Sequence, residues 1–157
     1  RGLVAIVDAA DLHMVAGVSW TAVSTSRGRW YVNGSDGAGG TVMLHRLLLG
    51  LARGDPRQGE HRNGDGLDNR RANLRIATQS QNNANTKKRP SAIHSRFKGV
   101  SWHRKGHKWQ GHITVDGHAR GLGLFVDESD AARAYDQAAL AAWGDFALTN
   151  ERLGLLP

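Results

Sequence analysis

Residues 59 to 89 read GEHRNGDGLDNRRANLRIATQSQNNANTKKR, a stretch too polar to be a core and too patterned to be a linker. Turn formers crowd its middle, and a short apolar pulse stands after them. GEHR is predicted as a short strand, NGDGLDNRRAN as a loop and LRIA as a second strand. A helix is predicted from Thr78, because Thr78 and Gln81 have the spacing of a capping box, in which hydroxyl and amide each satisfy a free backbone donor. Asn63, Asp65, Asp68 and Asn69 read as turn formers, since Asn and Asp bond their own backbone and tolerate left-handed conformations.

The flanks are simpler. Upstream, LVAIVD, VAGVSWTAV and RWYV are predicted as short strands, with NGSDGAGG as a turn before TVML. LHRLLLGLARG follows as a short helix with Leu44, Leu47, Leu48 and Leu51 on one face. Downstream, TKKRPSAIHS reads as a linker broken by Pro90. FKGVSWH, KWQGHITVDG and HARGLGLF have the lengths of a three-stranded antiparallel meander. Asp127 is placed to cap a final helix that stops at Gly144, with Ala131, Ala134, Tyr135, Ala138 and Ala142 as its small-residue face. The longest apolar run, around Leu47, is far short of the roughly 20 residues of a membrane span, and no signal-peptide pattern is visible. The chain contains no Cys, which excludes disulfides and Cys-ligated zinc and leaves a reducing compartment open.

Charge points to a partner. The formal net charge is +7, which favours a polyanion such as nucleic acid. Lys87, Lys88, Arg89, Arg96, Lys98, Arg104, Lys105, Lys108 and Arg120 face only Asp116 in their stretch. Asp127, Glu128, Asp130 and Asp136 then outweigh Arg133. A sheet turned to phosphate and a helix turned away from it have this pattern. Arg27 and Arg29, in TSRGRW, offer a further basic tip.

Hydrolysis of a phosphodiester needs a base to deprotonate water and a divalent cation to stabilise charge on the phosphate. His61 is the natural base, Glu60 beside it a hard oxygen ligand, and Asn82 on the following helix a second oxygen, with Asn83 and Asn85 as alternatives. One carboxylate and one amide leave room for waters and phosphate oxygens, as magnesium prefers. His45 either touches phosphate or packs beneath the site.

The block LHRLLLG…GEHRNGDGLDNRRANLRIATQSQNNAN, with Asn73 and Asn82 following His61, resembles the HNH nucleases, in particular the His-Asn-Asn branch of phage and intron-borne homing endonucleases. The resemblance implies a ββα-metal (His-Me finger) module in which His61 activates water. Asn73 holds the loop and orients His61, while Glu60 and Asn82 bind one Mg2+ or Mn2+ ion; no zinc is expected. The family usually has Asp where this chain has Glu60, so the carboxylate reaches one methylene further.

A second resemblance covers roughly residues 95 to 150. FKGVSWH…KWQGHITVDG…LGLFVDESDAARAYDQAALAAWGDFALTN looks like the Apetala-two/ethylene-response-factor DNA-binding domain, the version also appended to phage and bacterial HNH nucleases. It implies that the sheet lies in the major groove. Strand alternation puts Trp109, Ile113 and Val115 on the helix and leaves Lys108, Gln110, His112 and Thr114 outward. Lys98, Ser101 and His103 match contact positions of the family, Arg104 stands near the turn to meet phosphate, and Arg120 completes the expected DNA-binding set. Ser101, His103 and Thr114 replace residues usually held by Arg, so plant-type sequence preference does not transfer. Trp102, Trp109 and Trp143 are read as core.

Together these readings give an α+β chain: a bracing β-rich segment over 1–43, a nuclease module over 44–86, a basic linker over 87–96 and a DNA-binding sheet packed on one helix over 97–150. The expected function is metal-dependent endonucleolytic nicking of double-stranded DNA by a monomer, with no membrane association, in the cytoplasm of a bacterial or phage-infected cell. The alternative is a DNA-binding protein whose nuclease module is degenerate. A basic structural or RNA-binding protein fits the charge but leaves the His61, Asn73 and Asn82 spacing unexplained.

Overall fold

Aromatic and β-branched residues in WTAVS (20–24) and WYV (30–32) are the local cause of the first sheet. In the computed structural model, which describes residues 2–26, 28–35, 37, 39–88 and 95–156, β1 (Trp20–Ser24), β2 (Trp30–Ser35) and β3 (Thr41–Met43) pair antiparallel in that order. The chain is α+β and divides into two units, Arg1–Gln79 and Ser80–Pro157. Arg27, Pro90 and most of the expected linker lie outside the described residues.

In the first unit, α1 (Leu12–Val15) precedes the sheet and α2 (Leu44–Leu48) follows β3 directly. Gly50, at φ +67°, takes the left-handed conformation just past α2. Val32, Leu44, Leu48 and Leu74 form the core, with Val7, Met14, Val15 and Trp20 packed against it. The segment before residue 44 therefore shares one core with the hairpin formed by β4 (Gln58–His61) and β5 (Leu74–Ala77). One expectation changes here. LVAIVD is no sheet strand: Ile6 makes an isolated parallel bridge to Asp68, donating its N–H to Leu67 O and accepting from Asn69 N, and residues 9–15 are helical. Its backbone partners lie in the long loop between β4 and β5 rather than in a sheet.

Directly after Thr78, α3 (Gln79–Ala84) begins, at the expected position. From Ser80 onward it groups with the second unit, which differs from an expected boundary after residue 86. The physical ties are specific. Ser80 Oγ accepts from Trp143 Nε1 at 3.1 Å, and Ala84 is buried with its carbonyl accepting from Leu148 N.

In the second unit, β6 (Val100–His103), β7 (Lys108–Val115) and β8 (His118–Phe125) form the expected antiparallel meander, followed by α4 (Glu128–Trp143). Asp127 stands at the N-cap position of α4 without a side-chain cap bond, and Gly144 ends the helix at φ +53°. Gly99 also has positive φ, and a Cβ there would collide with the Tyr135 ring, so only glycine lets β6 approach α4. The buried face of α4 differs from the expected one: Ala131, Ala132, Tyr135, Asp136 and Ala139 are buried, while Ala142 is exposed. The cause is a second packing surface. Asp136 Oδ1 accepts from Asn150 N and Nδ2, both at 2.8 Å, and Oδ2 accepts from Glu151 N at 3.0 Å, so the C-terminal segment covers that side of the helix.

Candidate catalytic loop and nucleic-acid interface

Backbone pairing in β4 and β5 sets Glu60 opposite Arg75 and His61 opposite Leu74. Adjacent strand residues point to opposite faces, so His61 shares the face of core residue Leu74 and Glu60 takes the other. His61 is the last residue of β4, where the loop begins. The loop is built by Asx chemistry: Asn63 Oδ1 accepts from Asp65 N at 2.8 Å, and Asp65 Oδ1 accepts from Leu67 N at 3.0 Å. Asp68 takes the Arg70 guanidinium on both oxygens, at 2.7 and 2.8 Å, and this partner holds its carboxyl down to about 2.

Asn73 closes the loop on itself. Its Nδ2 donates to Asn63 Oδ1 at 3.0 Å and to Asp68 O at 2.7 Å, its Oδ1 accepts from Asn63 N at 3.0 Å, and its carbonyl accepts from Arg62 N at 2.8 Å. Asn69 is the loop side chain at the imidazole: its Oδ1 lies 3.2 Å from His61 Nε2. Sequence reasoning grouped Asn69 with the turn formers, yet it is fully buried, unlike exposed Asn63 and Asp65.

Three rings gather here. His45 and His61 stand edge to face with centroids 4.9 Å apart, and Tyr31 is 5.9 Å from each. His45 packs under the hairpin: a Cβ on Gly59 would stand 2.5 Å from His45 Cδ2, so glycine is what admits the ring. Burial, then the charges of His61 and Arg46, push the His45 imidazole down to about 3. Burial also lowers His61, against the opposing pull of the Asn69 bond and the Asp65 and Asp68 carboxylates. A buried imidazole kept neutral at neutral pH is an acceptor for a proton. Tyr31 carried no sequence signal for this cluster, because a tyrosine in RWYV reads as an ordinary strand residue.

Glu60 is buried and its Oε2 lies 2.5 Å from Arg75 Nε. Its Oε1 is buried with no hydrogen-bond partner among the described residues, an unsatisfied acceptor of the kind a hard cation completes. Among the described residues no three His, Asp or Glu side chains cluster as a metal centre, which a site of one carboxylate and one amide does not require. Asn82 is on α3, half-buried, and belongs to the second unit.

In the second unit, register assigns the faces. Val100 opposes Gly111 and Trp102 opposes Trp109 on the helix side, whereas Ser101 opposes Gln110 and His103 opposes Lys108 on the other. His112 and Thr114 alternate with buried Ile113, so Ser101, His103, Lys108, Gln110, His112 and Thr114 share the face turned from α4. Arg104 is exposed in the turn between β6 and β7, whose Gly106 N donates to His103 Nδ1. Trp109 and Trp143 pack against the core clusters, and Trp102 stacks edge-on against Trp109 at 4.9 Å.

Two residues of the expected DNA-binding set stand away from this face. The Lys98 ammonium points inward, donating to Ala84 O and to Leu148 O and standing over the Tyr135 ring; burial pushes it down to about 8. Lys88 likewise donates to Phe97 O at 2.7 Å and Val100 O at 2.8 Å. Arg120 opposes Ile113, because a bulge at Leu122 shifts β8 by one residue. It therefore stands on the helix side and lines a groove with Ala138 and Ala142.

Among the described residues, no helix is long and apolar enough to cross a membrane. No protein-family model matches the chain.

Proposed function

We propose that the chain is a metal-dependent DNA endonuclease in which the loop between β4 and β5 cuts and the β6–β8 sheet binds duplex DNA. The observation that carries this reading is the buried His61 imidazole, held at the end of β4 by Asn69 in a loop that Asn73 closes. His61 takes a proton from water while the water oxygen bonds to phosphorus and the bond to the leaving ester oxygen breaks. A bound Mg2+ or Mn2+ would supply charge neutralisation at the phosphate. The unpartnered Oε1 of Glu60 suits such an ion, and Asn82 enters as a ligand on the resemblance to HNH nucleases alone. One base and one metal suit a single strand cut, so the expected product is a nick made by a monomer. The β6–β8 face, with Lys108, His112 and Thr114 exposed and Gln110 half-buried, supports duplex binding by its side-chain donors.

A second reading rests on Glu60. Its Oε2 is already tied to Arg75, on the hairpin face opposite His61. A carboxylate so engaged favours a DNA-binding protein with an inactive nuclease module. Nicking of supercoiled plasmid in Mg2+ or Mn2+, beside a chelator control and His61→Ala, separates the two. Nicking that needs metal and vanishes with His61→Ala supports the nuclease. Duplex binding without nicking in any metal supports the second reading.

A further inference from the structure

We propose that Asn69 is the positioning residue of this loop: its side-chain oxygen accepts the Nε2 proton of His61 and thereby puts the imidazole lone pair on Nδ1. The second half, that this lone pair takes the water proton, rests on the nuclease reading. The first half does not.

The direction of the bond follows from donor accounting. Asn69 Nδ2 donates to Gly66 O at 3.3 Å, which turns Oδ1 toward the imidazole, 3.2 Å from Nε2. An amide oxygen only accepts, so Nε2 must carry the hydrogen. A neutral imidazole has one N–H, and the other nitrogen is then the base. The direction of the bond holds whether His61 is neutral or protonated, since Nε2 donates in either form.

Asn69 is itself held from a third side. Its N–H donates to Ile6 O at 2.7 Å, and Ile6 N donates to Leu67 O at 2.8 Å. Beyond it, Arg71 N donates to Asp8 Oδ2 at 2.7 Å, and the Arg71 guanidinium takes both oxygens of Asp11 at 2.8 Å. Residues 6 to 11 thus fix the segment that presents the amide, which gives the N-terminal segment a share in the site. A turn former needs none of this: Asn63 and Asp65 make their turns while exposed.

The test is the tautomer of His61 in the 15N-labelled full chain, read by long-range 1H–15N correlation and assigned by its loss in His61→Gln. The expected result is a proton on Nε2 in the unmodified protein, mixed tautomers in Asn69→Ala, and return of the Nε2–H form in Asn69→Asp, which keeps an acceptor oxygen. Nicking by Asn69→Ala should fall by about 10–100-fold in kcat with KM for DNA unchanged, the scale seen when a hydrogen-bond partner that orients a metal-ligating imidazole is removed. A proton on Nδ1 in the unmodified protein overturns the proposal without any variant needing to fold. So does a folded Asn69→Ala with an unchanged tautomer. The expected tautomers with no nicking in any metal overturn the nuclease reading and leave the Asn69–His61 assignment standing.

Discussion

The imidazole of His45 meets that of His61 edge to face, ring centroids 4.9 Å apart, in a pocket where burial disfavours charge on either. The consequence is acid sensitivity. His45 falls from its ordinary 6.5 to about 3 on folding, so the unfolded chain binds this proton more readily than the folded one. Its contribution to stability is complete above pH 6.5 and is lost as pH falls from there toward 3, by up to about 1.4 kcal/mol per pH unit. His61, lowered in the same direction, adds to the loss. The paired carboxylates Asp55 and Asp68, held to about 2, weaken only below their ordinary 3.8, so the interval from pH 6.5 to 5 isolates the histidines. Urea midpoints should fall across that interval in the unmodified protein and fall less in His45→Gln. A flat profile between pH 7.5 and 5 would show that the rings tolerate charge.

Glu60 and Arg75 predict an inverted outcome for the family-like substitution. With Oε2 only 2.5 Å from Arg75 Nε, shortening the side chain by a methylene in Glu60→Asp pulls it off the guanidinium. Glu60→Asp should therefore lower the melting temperature, and Arg75→Met should cost about 3–5 kcal/mol, the penalty of stranding one buried charge. Glu60→Gln should fold and fail to nick. Thermal melts beside plasmid nicking read both effects, and a more stable, more active Glu60→Asp would refute the account.

Asn73→Ala strands the Asp68 carbonyl, at about 1–3 kcal/mol for a buried group left unsatisfied, and removes the acceptor of the part-buried Asn63 N–H. Because the loop is closed from both ends by this one side chain, nicking should fall together with stability. An Asn73→Ala protein with an unshifted denaturation midpoint would mean that the backbone bond from Arg62 N to Asn73 O closes the loop unaided.

How much of this was legible in the sequence depends on range. The hairpin, the Asx turns at Asn63 and Asp65, the meander and the stop at Gly144 follow from local chemistry, and each was readable in place. Asn69 was not separable from its neighbours, because Asn in a turn-rich run has the same local signature whether its amide faces water or an imidazole eight residues back. Lys98 reads as one more cation in a basic run, and its acceptors on Ala84 and Leu148 exist only after folding. Arg120 reads as one more cation on the sheet, and a single bulged residue, Leu122, sets it opposite Ile113 on the helix side.

That inward turn of Lys98 separates two cations that look alike in sequence. Under the DNA-binding reading, each Lys or Arg that neutralises a phosphate contributes about one unit to the slope of log affinity against log salt. Arg104 and Lys108 are exposed at the β6–β7 end of the sheet, whereas the Lys98 ammonium is bonded to carbonyls within its own unit. Arg104→Ala and Lys108→Ala should each flatten the slope by about one unit while leaving the melting temperature nearly unchanged. Lys98→Met should do the reverse, lowering the melting temperature and leaving the slope as it was. Fluorescence anisotropy of a labelled duplex over a salt series, with a melt for each variant, reads both axes. A slope that ignores Arg104 and Lys108 together would move the phosphate contacts off this face of the sheet, and one that drops with Lys98→Met would place its ammonium in solution.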